Sequence, residues 1–274
     1  MTDLSELGVA HLSNAVPSAL RERLNAQIDQ WIDRFDPAQH RAVFTSDGAH
    51  LENQAYFFES ARNVSCFLEA GAVDPSGQLS CPKERAINKI GHALHDFSDA
   101  FAELARLPAL AQHLAQVSDQ GWELMQTMVI MKPPHIGGEV NWHQDGTFLM
   151  DSDNQCLGIW IALEDADSDN GCLQFGPTPE HGLSQLFETD HATGASSMRQ
   201  IHPAVLSAPE RPVFAPCQAG DAVVFDGLTP HASSPNHSER SRRAITLHFK
   251  PAHSEWLATN WLQRQSLDRF VVNA

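Results

Sequence analysis

The sequence predicts an all-β core braced by N-terminal helices. Apolar residues recur at helical spacing in the first third of the chain, and short strand-like runs divided by Pro, Gly, Asn and Asp follow from residue 121. No repeat or low-complexity stretch divides the 274 residues, and a 42% hydrophobic content suffices for one core. We therefore expect a single domain over 1–274, with a mainly helical brace in 1–120, the β core in 121–250 and a C-terminal helix in 251–274.

Three segments of the brace carry a helical pattern. The first helix begins near Pro17, which is tolerated in a first turn, and extends to residue 35. Its apolar stripe consists of Leu20, Leu24, Ile28, Trp31 and Phe35. A second amphipathic helix is predicted over 84–105 and a third, shorter one over 107–117.

The strands of the core are short apolar runs bounded by turn residues. They are predicted at 124–132, around His143 after the Gly137-Gly138 turn, and at 157–165, 221–227 and 242–249, with a tight turn at Asn170-Gly171. Strands at this spacing indicate a β-sandwich or barrel. Residues 183–212 are polar and irregular, so we expect a long loop there that could act as a lid.

Composition and charge disfavour several classes of partner and substrate. A formal net charge of −16 disfavours nucleic acid or an anionic membrane as partner and weighs against a heavily phosphorylated substrate. The N-terminus lacks a secretory pattern, and no apolar run is long enough to span a bilayer. Five cysteines without a C-x-x-C pair predict reduced core thiols. These features favour a cytoplasmic protein that acts on a small molecule.

His143, Asp145 and His231 form a candidate metal site. Two residues apart on a strand share a face, so an imidazole and a carboxylate could reach one ion from a single strand end. A second histidine from a distant strand would complete the 2-His-1-carboxylate set that leaves three positions open on Fe(II) for a cosubstrate and O₂. Separately, each residue also has a structural explanation, for example an Asx-turn role for Asp145 before Gly146.

An arginine pair after His231 suggests the cosubstrate. 2-Oxoglutarate would chelate the metal and leave a second carboxylate that needs a fixed cation, for which arginine offers a bidentate match. Arg242 and Arg243 point to opposite faces of their strand, and periodicity does not decide which of them faces the interior.

Other residues are weaker candidates. His92 and His95 lie three apart on the predicted second helix but lack a carboxylate partner. His248 alternates with apolar neighbours, which favours a buried, hydrogen-bonded or pocket-lining role. Trp142 and Trp160 are expected in the core, where either could wall a cofactor pocket.

Several ordered blocks of the chain resemble the phytanoyl-CoA dioxygenase family of Fe(II)/2-oxoglutarate oxygenases. They are FLEAGAVDPSGQL, INKIGHALH, QTMVIMKPPHIGGEVNWHQDGTFL, LGIWIALEDADSDNGCLQF, GDAVVFDGLTPHASSPN and RSRRAITLHF, which together cover most of the chain from about residue 67. The resemblance implies a double-stranded β-helix (a cupin-like jelly roll) with N-terminal helices, and Fe(II), 2-oxoglutarate and O₂ as cofactor and cosubstrates.

The resemblance also implies roles for particular residues. His143, Asp145 and His231 match the iron ligands, and Arg242, eleven residues after His231, matches the arginine that binds the far carboxylate of 2-oxoglutarate. Ser233, Met128 and Lys89 match further residues of the cosubstrate pocket.

The expected reaction is hydroxylation of a C–H bond in a small-molecule metabolite, with release of succinate and CO₂. Asp145 disfavours halogenation, because halogenating relatives lack this carboxylate. The alternatives are a non-catalytic jelly-roll binding protein and a cupin-type metal-dependent isomerase or thiol dioxygenase. The identity of the substrate does not transfer with the fold.

Overall fold

The computed structural model describes residues 3–39, 42–44, 54–203 and 206–272. Its helices are α1 (Ser18–Arg34), α2 (Gln54–Glu59), α3 (Leu94–Phe97), α4 (Asp99–Ala105) and α5 (Pro108–Val117). The strands are β1 (Ala10–Leu12), β2 (Val43–Phe44), β3 (Val64–Glu69), β4 (Ile87–His92), β5 (Trp122–Lys132), β6 (Val140–His143), β7 (Leu157–Ala162), β8 (Leu173–Phe175), β9 (Gln185–Asp190), β10 (Ala195–Gln200), β11 (Val213–Ala215), β12 (Ala222–Asp226), β13 (His231–Ser233), β14 (Arg242–Pro251) and β15 (Val271–Val272). Among the helices of these ranges, none combines the length and apolar character that crossing a bilayer requires.

Two sheets form the core. The nine-stranded major sheet has the order β1-β12-β7-β14-β5-β4-β3-β2, with β15 also paired to β5, and its pairs are antiparallel except β2 with β3. The minor sheet has the order β11-β8-β13-β6 and is antiparallel throughout. Side chains of β7, β12 and β14 pack against those of β8 and β11 between the sheets. The predicted jelly roll is confirmed.

The outer face of the major sheet is covered by helices. Leu20, Leu24, Ile28 and Ile32 of α1 belong to the same buried cluster as the outward residues of the sheet, such as Ile245 on β14. The predicted helices over 17–35 and 107–117 are therefore present as α1 and α5. Gly171, in the predicted tight turn, has a φ of +86°, which suits glycine.

The prediction for the first 120 residues was partly wrong. Four strands of the major sheet, β1 to β4, come from this part of the chain. Most of the first half of the predicted helix over 84–105 is β4, which follows a 3-10 turn at Lys83–Arg85, and α3 and α4 are the only α-helices in this range. Every residue of β4 is buried. A strand buried on both faces lacks alternation, so its apolar spacing does not distinguish it from a helix.

Two other expectations also need correction. Residues 251–272 contain no helix; instead the chain follows an irregular path to β15. Contacts with distant residues hold that path, including the bidentate ion pair of Arg264 with Asp96. The expected loop over 183–212 contains a hairpin, β9–β10, paired in register from Gln185↔Gln200 to Asp190↔Ala195.

All five cysteines are free, and Cys81 alone is only half-buried. Burial raises the pKa of the Cys66 and Cys217 thiols to about 12 and that of Cys172 to about 11. Burial also raises the pKa of Cys156 well above its usual value, and it raises the pKa of Cys81.

We expect a disulfide reagent in mildly alkaline buffer to modify Cys81 first in the native protein, since thiol reactivity requires access and a thiolate. All five thiols should react after unfolding. The measurement is thiol release against time, with Cys81→Ser as control. Rapid modification of the native Cys81→Ser variant would contradict this assignment.

Candidate metal centre

Two strands of the minor sheet bring three potential ligands together. β6 ends at His143, and the chain turns at once into a short 3-10 helix, Asp145–Thr147. β13 starts at His231, which pairs directly with His143 across the antiparallel ladder. Asp145 is therefore not on a strand as the spacing suggested, but the turn still directs its carboxylate to the two imidazoles.

The geometry of these residues suits one metal ion. Oδ1 of Asp145 lies 3.5 Å from Nε2 of His143 and 3.6 Å from Nε2 of His231, and the two ring centroids are 4.2 Å apart. One ligand atom from each of the three residues lies within 4.8 Å of the others. Asp145 and His231 are buried, whereas the His143 side chain is 25% exposed. The group is thus reachable from one side.

Backbone carbonyls set the tautomer of both imidazoles. Nδ1 of His143 lies 2.8 Å from the carbonyl oxygen of Asn141, and Nδ1 of His231 lies 3.0 Å from that of Thr229. A carbonyl only accepts, so each Nδ1 carries the proton and donates it. Each Nε2 is then a lone-pair donor directed at the common centre, the usual arrangement around metal-bound histidines.

A third imidazole fixes the carboxylate. Nε2 of His248, on β14, donates to Oδ2 of Asp145 over 3.1 Å, which leaves Oδ1 for the metal position. His248 pairs with Gly158 on β7, and a Cβ at Gly158 would lie 3.0 Å from Oδ2. A glycine at this point of β7 therefore makes room for the carboxylate. The expected buried, hydrogen-bonded role of His248 is confirmed.

The electrostatics of the three groups reflect their mutual contacts. Burial acts to raise the pKa of Asp145, but the charges of His248 and His231, the adjacent His143 ring and a hydrogen bond from His248 hold it well below its usual value. Burial lowers the pKa of His231 to about 4, with the His143 charge in the same direction. Burial also acts to lower the pKa of His143, but the adjacent carboxylate of Asp145 raises it overall. An ionised carboxylate and a neutral His231 are both states that bind metal.

Gln144, between two of the ligands, has a role that the sequence did not suggest. Its Nε2 donates to the carbonyls of Leu228 (2.6 Å) and Gly182 (3.1 Å), and its Oε1 accepts from the backbone N–H of Ser184 (3.0 Å). The fully buried amide thus joins the His143–Asp145 turn to the segment before His231 and to the start of the β9–β10 hairpin. No spacing rule identifies such a residue, because each of its partners is a backbone group.

Arg242 lies inside the fold and Arg243 outside. Nη1 of Arg243 donates to Asn25 and Asp29 on α1, so the helical layer determines which face of β14 is outward. Arg242 is 1% exposed, and its guanidinium carbon lies 5.6 Å from the ring centre of Trp160. Burial lowers its pKa to about 10. Periodicity did not decide which of the two arginines faces the interior, and the packing of α1 against β14 shows that it is Arg242.

Unpartnered polar atoms occur along the inner face of β14. Within the described part of the chain, Nε and Nη1 of Arg242, Oγ1 of Thr246 and Nδ1 of His248 are buried without a hydrogen-bond partner, and Arg242 has no ion pair. Leaving one such atom unpaired costs about 1–3 kcal/mol, and more for a charged group. The guanidinium and hydroxyl of this row can donate to an anionic ligand, whereas Nδ1 of His248, whose Nε2 donates to Asp145, is an acceptor that needs a donor.

Two of the other three expected cosubstrate residues border the cavity at the metal ligands, whereas Ser233, like Arg242, is not among the described residues that line it. Met128 pairs with Thr246 across β5 and β14, and Met128 and Lys89 both border the cavity that contains His143 and Asp145. Burial lowers the pKa of Lys89 to about 7. Ser233 is buried on β13, and its carbonyl accepts from Lys132 over 3.4 Å.

This cavity, of about 590 Å³, lies between the two sheets and under the β9–β10 hairpin. Its walls are mainly apolar: they include Phe57, Phe67, Phe148, Phe187, Met198 and Trp261, together with Trp142. Phe187 and Met198 come from the hairpin, within the segment expected to act as a lid. His92 also borders the cavity, from β4, whereas His95 on α3 binds Thr127, so the two do not form the ligand pair considered from the sequence.

The chain is similar to known proteins in sequence and in fold. The family model described as Phytanoyl-CoA dioxygenase matches residues 4–244. The chain belongs to the phytanoyl-CoA dioxygenase family. A mouse relative, phytanoyl-CoA dioxygenase domain-containing protein 1, is 37% identical over 251 residues, which cover 88% of this chain and 85% of the relative.

Solved structures share the fold of this phytanoyl-CoA dioxygenase family member. The epimerase SnoN, in complex with Fe³⁺, alpha ketoglutarate and nogalamycin RO, aligns with a TM-score of 0.63 at 14% identity, over 96% of this chain and 87% of SnoN. The alpha ketoglutarate dependent carbocyclase SnoK aligns with a TM-score of 0.60 at 16% identity, over 98% and 93% of the two chains. At these identities the likeness establishes the fold.

We predict that His248→Phe weakens binding of a divalent ion by roughly 10–100-fold, because Asp145 would lose the donor that orients it. The measurement is a titration with Co(II), followed by its visible absorption. His253→Phe is the matched control, since His253 pairs with Asp153 at the surface. Unchanged Co(II) affinity in His248→Phe would refute the positioning role.

Proposed function

We propose that this protein is an Fe(II)- and 2-oxoglutarate-dependent dioxygenase that hydroxylates a C–H bond of a small molecule and releases succinate and CO₂. The observation that carries the proposal is the combination of one carboxylate and two imidazoles around a common centre with a buried arginine that lacks an ion-pair partner in the described residues. Family membership supports the same reaction class.

The donor set of the site fits iron. His143, Asp145 and His231 would hold Fe(II) through two neutral nitrogens and one carboxylate oxygen, a set that leaves coordination positions free. When bound, Fe(II) together with 2-oxoglutarate and O₂ supplies the oxidant for the C–H bond. His248 engages the second oxygen of Asp145, so the carboxylate would offer one oxygen to the metal.

Arg242 fits the far carboxylate of 2-oxoglutarate. Its guanidinium is buried with Nε and Nη1 unpaired, so it retains N–H groups that a carboxylate could accept from. Thr246, on the same face of β14, offers a further hydroxyl. Ser233, Met128 and Lys89 complete the proposed cosubstrate pocket. A cupin-type isomerase or thiol dioxygenase, or a non-catalytic binding protein, needs no such anchor.

The cavity supports a small-molecule substrate. Apart from its histidines, the charged residues among its described lining are Lys89 and Asp145. A coenzyme A ester carries several phosphate charges, for which this lining offers no cluster of arginines. The net charge of −16 also disfavours a substrate that carries several phosphate groups. We therefore propose a predominantly apolar metabolite without a phosphorylated carrier.

We predict that anaerobic addition of Fe(II) and 2-oxoglutarate to the apo-protein produces a visible metal-to-ligand charge-transfer band. Arg242→Ala should weaken the apparent affinity for 2-oxoglutarate by at least about tenfold, since a charge-assisted bidentate pair would be lost. Arg243→Ala is the matched control, because Arg243 contacts α1 at the outer face of the sheet.

No band despite demonstrated iron binding would reject the dioxygenase proposal in favour of a binding or cupin-type protein. Equal effects of the two arginine variants would reject the assignment of Arg242.

We also predict that Asp145→Ala reduces succinate formation from 2-oxoglutarate by at least about 100-fold, because the only carboxylate ligand of the proposed set is removed. The measurement is succinate by mass spectrometry under aerobic turnover. Asp153→Ala, at the surface, is the control. Turnover retained in Asp145→Ala would show that the metal is held elsewhere.

A further inference from the structure

His92 is a buried polar residue of the cavity that the proposed reaction does not use. It ends β4, is fully buried and borders the same cavity as His143 and Asp145. The rings of Phe57, Phe67 and Trp261 surround it, with centroids 5.9, 5.8 and 4.9 Å from that of the imidazole. Burying an imidazole in such an apolar setting lowers stability unless its nitrogens are hydrogen-bonded.

Ser60 determines which nitrogen of His92 carries the proton. Oγ of Ser60 lies 2.5 Å from the carbonyl oxygen of Phe57 and 2.7 Å from Nδ1 of His92. The carbonyl only accepts, so the single Ser60 hydroxyl proton is directed to it. Ser60 must then accept from His92, and Nδ1 carries the imidazole proton.

Nε2 of His92 is consequently a lone-pair acceptor. Burial lowers the pKa of His92 well below its usual value, and the nearby charges of Lys89 and His248 act in the same direction, so the ring is neutral. Nε2 is buried and has no hydrogen-bond partner among the residues described in the structure. A neutral acceptor without a donor is an unsatisfied group whose missing partner must be a donor.

We propose that the substrate of this site is a predominantly apolar molecule that carries a hydroxyl or N–H group, and that Nε2 of His92 accepts a hydrogen bond from that group. The inference rests on the proposed function and narrows its substrate class. The aromatic wall around His92 and the apolar hairpin residues Phe187 and Met198 accommodate the body of the molecule. A carboxylate in place of the donor would present a second acceptor to Nε2.

The test uses two isomeric probes that differ in the donor. Decan-1-ol has a hydroxyl group, and 1-methoxynonane has the same atoms with an ether oxygen that only accepts. Binding to the full-length protein is followed by tryptophan fluorescence, because Trp261 is in edge contact with His92. It is measured with and without Fe(II) and 2-oxoglutarate under anaerobic conditions. We expect the alcohol to bind roughly tenfold more tightly than the ether, the ratio that one neutral hydrogen bond supplies.

Two variants test the acceptor itself. His92→Phe keeps an aromatic ring and removes Nε2, so the alcohol-to-ether affinity ratio should fall to about one. Ser60→Ala removes the acceptor that holds the proton on Nδ1, so the proton can move to Nε2 and the ratio should fall in the same way. Ser60→Ala keeps the test available if His92→Phe does not fold.

Thr127→Val is the matched control. Oγ1 of Thr127 contacts Nδ1 of His95 at 2.6 Å as Ser60 contacts His92, but His95 does not border the cavity. The alcohol-to-ether ratio should be unchanged in this variant. A purely structural role of Ser60 would lower the affinity for both probes alike and leave their ratio unchanged, which would overturn the proposal.

The outcomes separate this inference from the proposed function. A charge-transfer band without any preference for the alcohol overturns the substrate class and leaves the dioxygenase intact. Tighter binding of decanoate than of decan-1-ol also overturns it, because an anion site would then be present. An alcohol preference without the band supports the acceptor at His92 and rejects the dioxygenase.

Discussion

The carboxylate of Asp145 is the interaction on which the rest of the site depends. It is buried beside three imidazoles, and its two oxygens have different roles, since Oδ1 lies near His143 and His231 whereas Oδ2 accepts from His248. A buried carboxylate is costly unless it is paired and hydrogen-bonded. Two of these imidazoles come from the minor sheet and His248 comes from the major sheet. The contacts that stabilise the anion therefore also connect the two sheets.

The two faces of β14 explain how one strand serves both stability and chemistry. Its outward residues Ile245, Leu247 and Phe249 belong to the core under the helices, and its inward residues include Arg242, Thr246 and His248. The helical layer buries the apolar face, so the opposite face can carry polar groups that the protein itself does not satisfy. Such groups lower stability and prepare a site for a ligand, a common feature of binding pockets.

The cavity wall is built from several distant segments, and one of them is linked to the metal ligands. Lys89 and His92 come from β4, and Phe187 and Met198 from the hairpin β9–β10. Gln144 joins the turn of the metal ligands to the start of this hairpin through backbone carbonyls and an N–H group. The wall of the cavity and the metal centre are therefore connected by one buried amide, so a shift of the hairpin would reach Asp145 through its neighbour in the chain.

By itself, the sequence determined the β core, the helices α1 and α5, the triad of His143, Asp145 and His231, and the family, because short periodic runs and ordered motifs are local signals. It did not distinguish β4 from a helix, since a strand buried on both faces loses its alternation. The inward direction of Arg242, the hairpin over the cavity, the role of Gln144 and the course of the C-terminal segment were decided by tertiary structure. Each of these depends on which distant surface covers a residue, as α1 covers Arg243 and Asp96 binds Arg264.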